Sequence, residues 1–575
     1  MTAISVSKPV AVSAPHTLPA KYVLTSVEKR LVGLNVLMAT VALSIGSLFG
    51  PLQALEFSGL QVNGVDLYTW LQMFLLKSYY QGLTLHGVLN ALVWTTFFIV
   101  GFLTLCVIYG LRRPLALPKL NWAAFIVMTL GLVITAVPIL LNQASVLFTF
   151  YPPLQAHFTF YIGLVLVVVG SWMAGWGFYV TYYRWRKANP GVRTPFIAFS
   201  SLITMVLWQI ATLGVASEIL FQLLPWSLGL LPGVDPQLDR TLFWFTGHPL
   251  VYFWLLPAYI TWYGMLPKQA GGKLFSDSLA RFAFWLFLVL STPLGFHHQY
   301  TDPGVPQMWK YIHAILTYAV AFPSLITAFT VVASLEYAGR ARGGKGLFGW
   351  IRALPWGDPS VTIQVLSGIL FIFGGIGGMT NSSYNVNLVV HNTAWVPGHF
   401  HLTVASAVTM SFMGIAYWLV PYVTGRKLWS RKLALVQGWT WFIGMMIFSN
   451  AMHTLGLLGA PRRVPLGIAP YVPANWEPRL LQTAIGGSIL FFGAYMFIFN
   501  VLMTALSKRA SAAEMPEIPE AEAVQDPQLT PAWLDRWAPW LTAAVLLVVL
   551  VYGPNLFVQL SNMANTSPGF NTGLW

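Results

Sequence analysis

Thirteen stretches of the chain are apolar over the roughly 20 residues that a helix needs to cross a bilayer. They fall at about 30–55, 79–111, 120–145, 155–184, 196–228, 240–266, 279–300, 307–338, 361–380, 387–421, 432–460, 478–507 and 538–562. The pattern predicts an all-α, polytopic membrane bundle of about 13 transmembrane helices. Two long polar interruptions divide it. Residues 1–29 form an N-terminal tail, and 30–507 hold twelve helices as one core. Residues 508–537 carry Glu514, Glu517, Glu520, Glu522 and Asp526 among prolines, and read as a linker. Residues 538–575 then hold a peripheral thirteenth helix and an external C-terminal tail. Residues 1–27 show no cleavable signal pattern, so the first span is expected to direct its own insertion.

Charge adds direction to this path. Only 8% of residues are charged and 56% are hydrophobic, against about 25% charged in soluble domains. The net charge of +14 does not indicate nucleic acid, because the cations cluster in short loops between spans. Arg112, Arg113 and Lys119 follow the second span, and Arg184, Arg186, Lys187 and Arg193 the fourth. Lys268, Lys273 and Arg281 surround the loop after the sixth. Arg340, Arg342, Lys345 and Arg352 follow the eighth, and Arg426, Lys427, Arg431 and Lys432 the tenth. Basic loops stay in the cytoplasm. The N-terminus is therefore expected inside, in the plasma membrane of a prokaryote. The single cysteine, Cys106, rules out an intrachain disulfide or a cysteine metal cage. Soft-metal chemistry would have to use histidine.

Of eleven histidines, six in four spans are expected at one depth, in the outer half of the membrane. His86 lies two turns into its span and His248 about 8 residues into its own. His297 and His298 close the outward-running seventh span. His399 and His401 are placed three to four turns inside the tenth. Intramembrane polar residues are functional candidates by default. His399 and His401 are i and i+2, about 200° apart at 3.6 residues per turn, so one helix could serve two cofactors. His248 and Tyr252 are i and i+4, on one face. Imidazole suits Cu, Fe and Zn, and opposed single histidines make haem axial ligands. A lone histidine such as His86 is more often a helix–helix hydrogen-bond partner. The shared depth of six outweighs that reading.

These motifs resemble subunit I of the heme-copper oxygen reductases. WFTGHPLVYFW (244–254), FHHQY (296–300) and HNTAWVPGHFHL (391–402) occur in the family's order across nearly the whole chain. The variant most resembles the B-type, cytochrome-ba-like branch. The resemblance implies a terminal oxidase that reduces dioxygen to water and couples this to proton uptake and pumping. It implies His248, His297 and His298 as ligands of the copper called CuB. His399 would be the axial ligand of a high-spin, a-type haem. His86 and His401 would ligate a low-spin haem, of b type. Tyr252 would be catalytic and joined to His248, a bond that the i, i+4 placement permits. Haem propionates are anionic, so Arg240, His391, Arg462 and Arg463 are their expected partners.

Protons for the reaction are expected from inside. Tyr252, Tyr259 and Tyr263 share one helical face, and Ser324, Thr327 and Thr330 form an i, i+3, i+6 stripe. Hydroxyls both donate and accept, so with water they can relay protons; packing glue is the alternative reading. In the A-type pattern a glutamate stands where Leu250 is here, and the Asp/Asn-rich entrance after the second span is replaced by RRPLALPKL. Asn392 replaces another A-type aspartate. Asn387 stands where the family commonly has aspartate, so any proton-loading role of that aspartate would pass to another group. Glu218, a lone carboxyl in the fifth span, reads as structural or as a relay.

The expected partners are a subunit II carrying CuA, cytochrome c as donor, dioxygen, the lipid membrane and a small single-helix subunit, with no nucleic acid. A nitric oxide reductase shares the six histidines but uses non-haem iron and lacks the tyrosine. A polytopic secondary transporter would explain the spans and not the histidines.

Overall fold

The computed structural model describes residues 21–62, 65–66, 76–511, 514 and 516–570. Each of the thirteen apolar stretches contains a long helix. In chain order these are α1 (Ser26–Ser58), α2 (Tyr79–Leu111), α3 (Pro118–Leu140), α4 (Phe158–Ala188), α5 (Phe196–Ser227) and α6 (Pro236–Gly264). There follow α7 (Asp277–Ser291), α8 (Gln307–Ala341), α9 (Pro359–Ser382), α10 (Trp395–Thr424), α11 (Arg431–Leu457), α12 (Glu477–Leu506) and α13 (Trp537–Ser561). Among the described residues, eleven helices are long and apolar enough to cross a membrane. The two long helices outside that set are α6 and α11. The chain is thus a multi-pass membrane protein. The described β-structure is one two-residue hairpin pairing Gln61 with Asp66, together with isolated bridges.

Local sequence explains the helix ends. Thr25 and Glu28 form a reciprocal capping box at α1. Asp235 accepts from the amides of Gln237 and Leu238 to start α6, and Ser276, Asp358 and Ser430 cap α7, α9 and α11. Neighbours pair as hairpins, α3 with α4, α5 with α6, α7 with α8 and α11 with α12, and α1 closes against α12. α2 and α10 are central, with 94% and 89% of their most apolar windows buried; α13 is peripheral at 22%. The histidine-bearing helices therefore line the middle of the bundle.

Two expected spans are broken. The seventh does not continue helically to its histidines. α7 stops at Ser291, and a separate 3-10 turn, Phe296–Gln299, carries His297 and His298. Pro293 and Gly295 in the intervening TPLG explain the stop. The tenth is also interrupted. A short helix, Tyr384–Val390, ends at His391, and Asn392 takes a left-handed φ of 59° before α10 begins at Trp395. His399 and His401 therefore lie in the first two turns of α10, not three to four turns deep. His391 stands in the break rather than in a helix. Two π-helical segments, Val88–Trp94 and Thr403–Val408, begin two residues after His86 and His401, and such bulges are frequent at functional sites.

The acidic segment before α13 lies across the basic loops. Glu517 meets Lys21 at 3.2 Å, Glu520 meets Arg112 at 3.9 Å and Glu522 meets Lys273 at 3.2 Å. Glu514 pairs with Lys427. Asp535 takes Arg186 at 3.2 Å and Arg281 at 3.7 Å. These basic loops thus share one end of the bundle. Arg240, Arg462 and Arg463 belong to the opposite helix ends.

Candidate metal and haem centre

α6 brings His248 to the turn that holds His297 and His298. One ring nitrogen from each lies within 4.8 Å of the others, in the one such group of three among the described residues. The His248 and His297 rings are 4.4 Å apart and nearly perpendicular, and His298 stacks on Trp244 at 3.6 Å. Thr317 of α8 gives its proton to the His313 carbonyl at 2.6 Å and sits 3.1 Å from His297 Nδ1. A hydroxyl has one proton. The His297 Nδ1–H therefore donates to Thr317, which leaves Nε2 free for a ligand. The buried Nε2 atoms of His248 and His298 have no hydrogen-bond partner among the described residues. Buried nitrogens of this kind are normally satisfied, and a shared metal ion fits all three. Tyr252 follows His248 by one turn, with ring centroids 5.4 Å apart.

The i, i+2 pair on α10 separates as its geometry requires. His401 faces His86 across the bundle, with rings within 12° of parallel and centroids 6.2 Å apart. That is too far for contact. It matches two metal–nitrogen bonds of about 2 Å plus the two half-rings. His401 Nδ1 donates to the Pro397 carbonyl at 2.7 Å and His86 Nδ1 to the Gly46 carbonyl at 3.1 Å. Each ring thereby keeps Nε2 for the space between them. His399 instead stacks on Trp395 and abuts α9, where Gly377 is obligatory for space. A Cβ there would stand 2.6 Å from His399 Nδ1. One cavity of about 800 Å³ is lined by all six histidines, Tyr252, Arg462 and Arg463. The donor set and the room fit two haems and one copper.

The anion-binding candidates divide. Arg462 donates to Asn392 Oδ1 at 3.0 Å, while its buried Nε has no partner among the described residues. Burial pushes the Arg462 and Arg463 guanidiniums below their usual range, aided by the charge of Arg463 on Arg462 and of Arg240 on both. Two desolvated cations side by side call for anions. His391 Nδ1 is 3.2 Å from Asn387 Oδ1, and Asn387 also donates to the His297 carbonyl at 3.2 Å. Arg240 does not line the cavity. Its fork is taken by Asp302, at 2.8 and 3.0 Å, a partner that spacing along the chain could not reveal.

Of the hydroxyl residues, Tyr263 donates to Thr327 at 2.7 Å. Tyr252, Tyr259, Ser324 and Thr327 line the cavity. Thr330 is fully buried, and its hydroxyl has no partner among the described residues. Glu218 packs against Asp239 of α6, both fully buried. Sequence reasoning missed Asp239, Lys310, His313 and Thr317. Lys310, a lysine in an apolar span, was the signal available.

Comparison with known proteins follows the same lines. The family described as cytochrome c and quinol oxidase polypeptide I matches residues 30–489. Cytochrome c oxidase subunit 1 of Thermus thermophilus is 47% identical over 560 residues, covering 95% of this chain and 97% of that one. Cytochrome c oxidase polypeptide 1 of Halobacterium salinarum is 26% identical, over 88% and 84% of the two chains. A chain of a heme-copper terminal oxidase dimer solved by cryo-EM superposes with a TM-score of 0.89 at 40% identity, covering 96% of each chain.

Proposed function

This chain belongs to the cytochrome c and quinol oxidase polypeptide I family, and we propose that it is the catalytic subunit of a cytochrome c oxidase that reduces dioxygen to water. The observation that carries the reading is the meeting of three histidine nitrogens within 4.8 Å, in the cavity that the other three histidines share. When bound, haem and copper supply the electron transfer and the binding of dioxygen.

His248, His297 and His298 hold the copper. His399 would hold the high-spin haem, of a type, and His86 and His401 would hold the low-spin haem, of b type. Arg462, Arg463 and His391 take the propionates. Arg240 acts through Asp302, which steadies the same end of the site. The Tyr252 hydroxyl holds a transferable proton beside the copper ligands. Tyr263, Thr327, Thr330, Ser324 and Tyr259 bring protons to it from the end where the basic loops lie. That end is cytoplasmic by the positive-inside rule, which also places the N-terminus inside a prokaryotic plasma membrane.

The absence of an A-type glutamate at Leu250 supports the B-type branch. The single cysteine supports a separate subunit II for CuA, which receives electrons from cytochrome c. A small single-helix subunit fits the same assembly. The domain division at 30–507, 508–537 and 538–575 belongs to this reading.

The test is metal and haem analysis of the purified protein with the Tyr252→Phe variant beside it. The expected result is one copper and two haems in both, with turnover nearly abolished in the variant. Iron in place of copper, or full turnover without the hydroxyl, would overturn the assignment.

A further inference from the structure

The 3-10 turn that carries His297 and His298 is isolated from α7 by the break at 292–295, so its own backbone cannot hold it. α8 supplies the support. Lys310, His313 and Thr317 are spaced i, i+3, i+7 and share one face of that helix; all three are buried. Before the turn, His313 Nδ1 accepts the amides of Gly295 and Phe296, both at 3.2 Å. These amides follow Pro293 in a helix break and have no intrahelical carbonyl to bond. The His313 ring also stacks on Phe296 at 4.2 Å. After the turn, Lys310 Nζ donates to the carbonyls of Tyr300 at 2.7 Å and Asp302 at 3.0 Å.

His313 is not a ligand in this arrangement. The Nδ1 lone pair is spent on two amides, so the ring proton sits on Nε2. A buried ammonium and a buried imidazole are both costly unless they are hydrogen-bonded. Here the Lys310 ammonium and His313 Nδ1 bond main-chain atoms that flank the two histidines, while the buried His313 Nε2 has no partner among the described residues.

We propose that Lys310 and His313 are positioning residues, which clamp the turn from its two ends and set the geometry at which His297 and His298 meet His248. The inference rests on the copper assignment above. Losing an outer partner of a metal ligand typically lowers metal affinity by roughly 10–100-fold.

The experiment uses the full-length protein, grown with copper and titrated with a copper chelator. It compares wild type, His313→Phe, His313→Asn and Lys310→Met. Phenylalanine keeps the ring and its stack on Phe296 but has no acceptor, whereas asparagine returns an acceptor oxygen near the place of Nδ1. The second readout is the infrared band of carbon monoxide photolysed from haem onto the copper. It reports copper geometry independently of turnover.

In His313→Phe and Lys310→Met, copper should leave at roughly 10–100-fold lower chelator concentration, and the band should shift or broaden. His313→Asn should resemble wild type, and both haems should remain in all variants. Copper held as tightly as in wild type, with an unchanged band, would overturn the clamp. So would an asparagine variant as weak as the phenylalanine one, because shape rather than the acceptor would then matter. If His313→Phe does not assemble, Lys310→Met decides by the same criteria. A wild-type protein without copper would instead sink the copper assignment itself, and the clamp with it.

Discussion

Gly377 and Gly378 are adjacent on α9, and both face His399, but a methyl group has very different consequences at the two positions. A Cβ at Gly377 would stand 2.6 Å from His399 Nδ1 and 3.3 Å from its Cγ, whereas one at Gly378 would come no closer than 3.8 Å, to Cε1. Ordinary contact begins at 3.4 Å, so Gly377→Ala must displace the ring or α9 by about 0.8 Å, the shortfall of 2.6 from 3.4. The ring has little room to retreat, because it stacks on Trp395. Metal sites tolerate about 0.2 Å in ligand distance, so the displacement exceeds what axial ligation allows. The associated overpacking costs about 1–3 kcal/mol. Gly378→Ala should be harmless, and a helix-interior Gly→Ala exchange can even stabilise by about 0.5–1 kcal/mol. The assay is the reduced-minus-oxidised spectrum with and without carbon monoxide, plus a haem count by pyridine extraction. Gly377→Ala should lose the carbon-monoxide-binding haem and keep the low-spin one; Gly378→Ala should keep both. A Gly377→Ala protein with a full carbon monoxide difference spectrum would refute the placement of His399.

Three further outcomes follow from the same geometry. His86→Ala should remove the low-spin spectrum selectively, and loss of the high-spin haem alone would reverse the assignment of the two sites. Tyr263→Phe deletes the 2.7 Å bond to Thr327 and should slow proton uptake during turnover by about 10²-fold or more, the low end of the range of about 10²–10⁴ for a positioned proton-transfer group; stopped-flow with a pH dye that shows unchanged uptake would exclude this route. Arg281→Met leaves the buried Asp277 carboxylate, now 2.7 Å from the guanidinium, without its cation, while Asp535, 3.7 Å away, keeps Arg186 at 3.2 Å. It should destabilise the fold by about 3–5 kcal/mol, and an unchanged thermal midpoint in detergent would show that the network contributes nothing.

The chain order alone determined where the membrane helices run, which loops carry cations and which histidines are candidate ligands. These are local properties. Apolar length reports a span, and the 200° between His399 and His401 follows from helical pitch, so their division between two sites needed no tertiary contact to foresee. The breaks at 292–295 and 391–394 were present as TPLG and HNTA, yet the apolar runs around them hid them. Hydropathy averages over a window and does not register a single proline or a left-handed asparagine.

What only the tertiary structure decided is how the site is supported. Arg240 finds Asp302 across 62 residues of sequence, and Asn387 joins His391 to the His297 carbonyl across 90. Lys310 and His313 meet a turn that belongs to another helix pair. The acidic segment finds its cations on loops from several parts of the chain. Each of these is a hydrogen bond or ion pair whose strength depends on distances of about 3 Å, and no periodicity along a chain encodes a distance between helices. The candidate ligands could be read from residue type and spacing, whereas the groups that hold them still exist only as a consequence of packing.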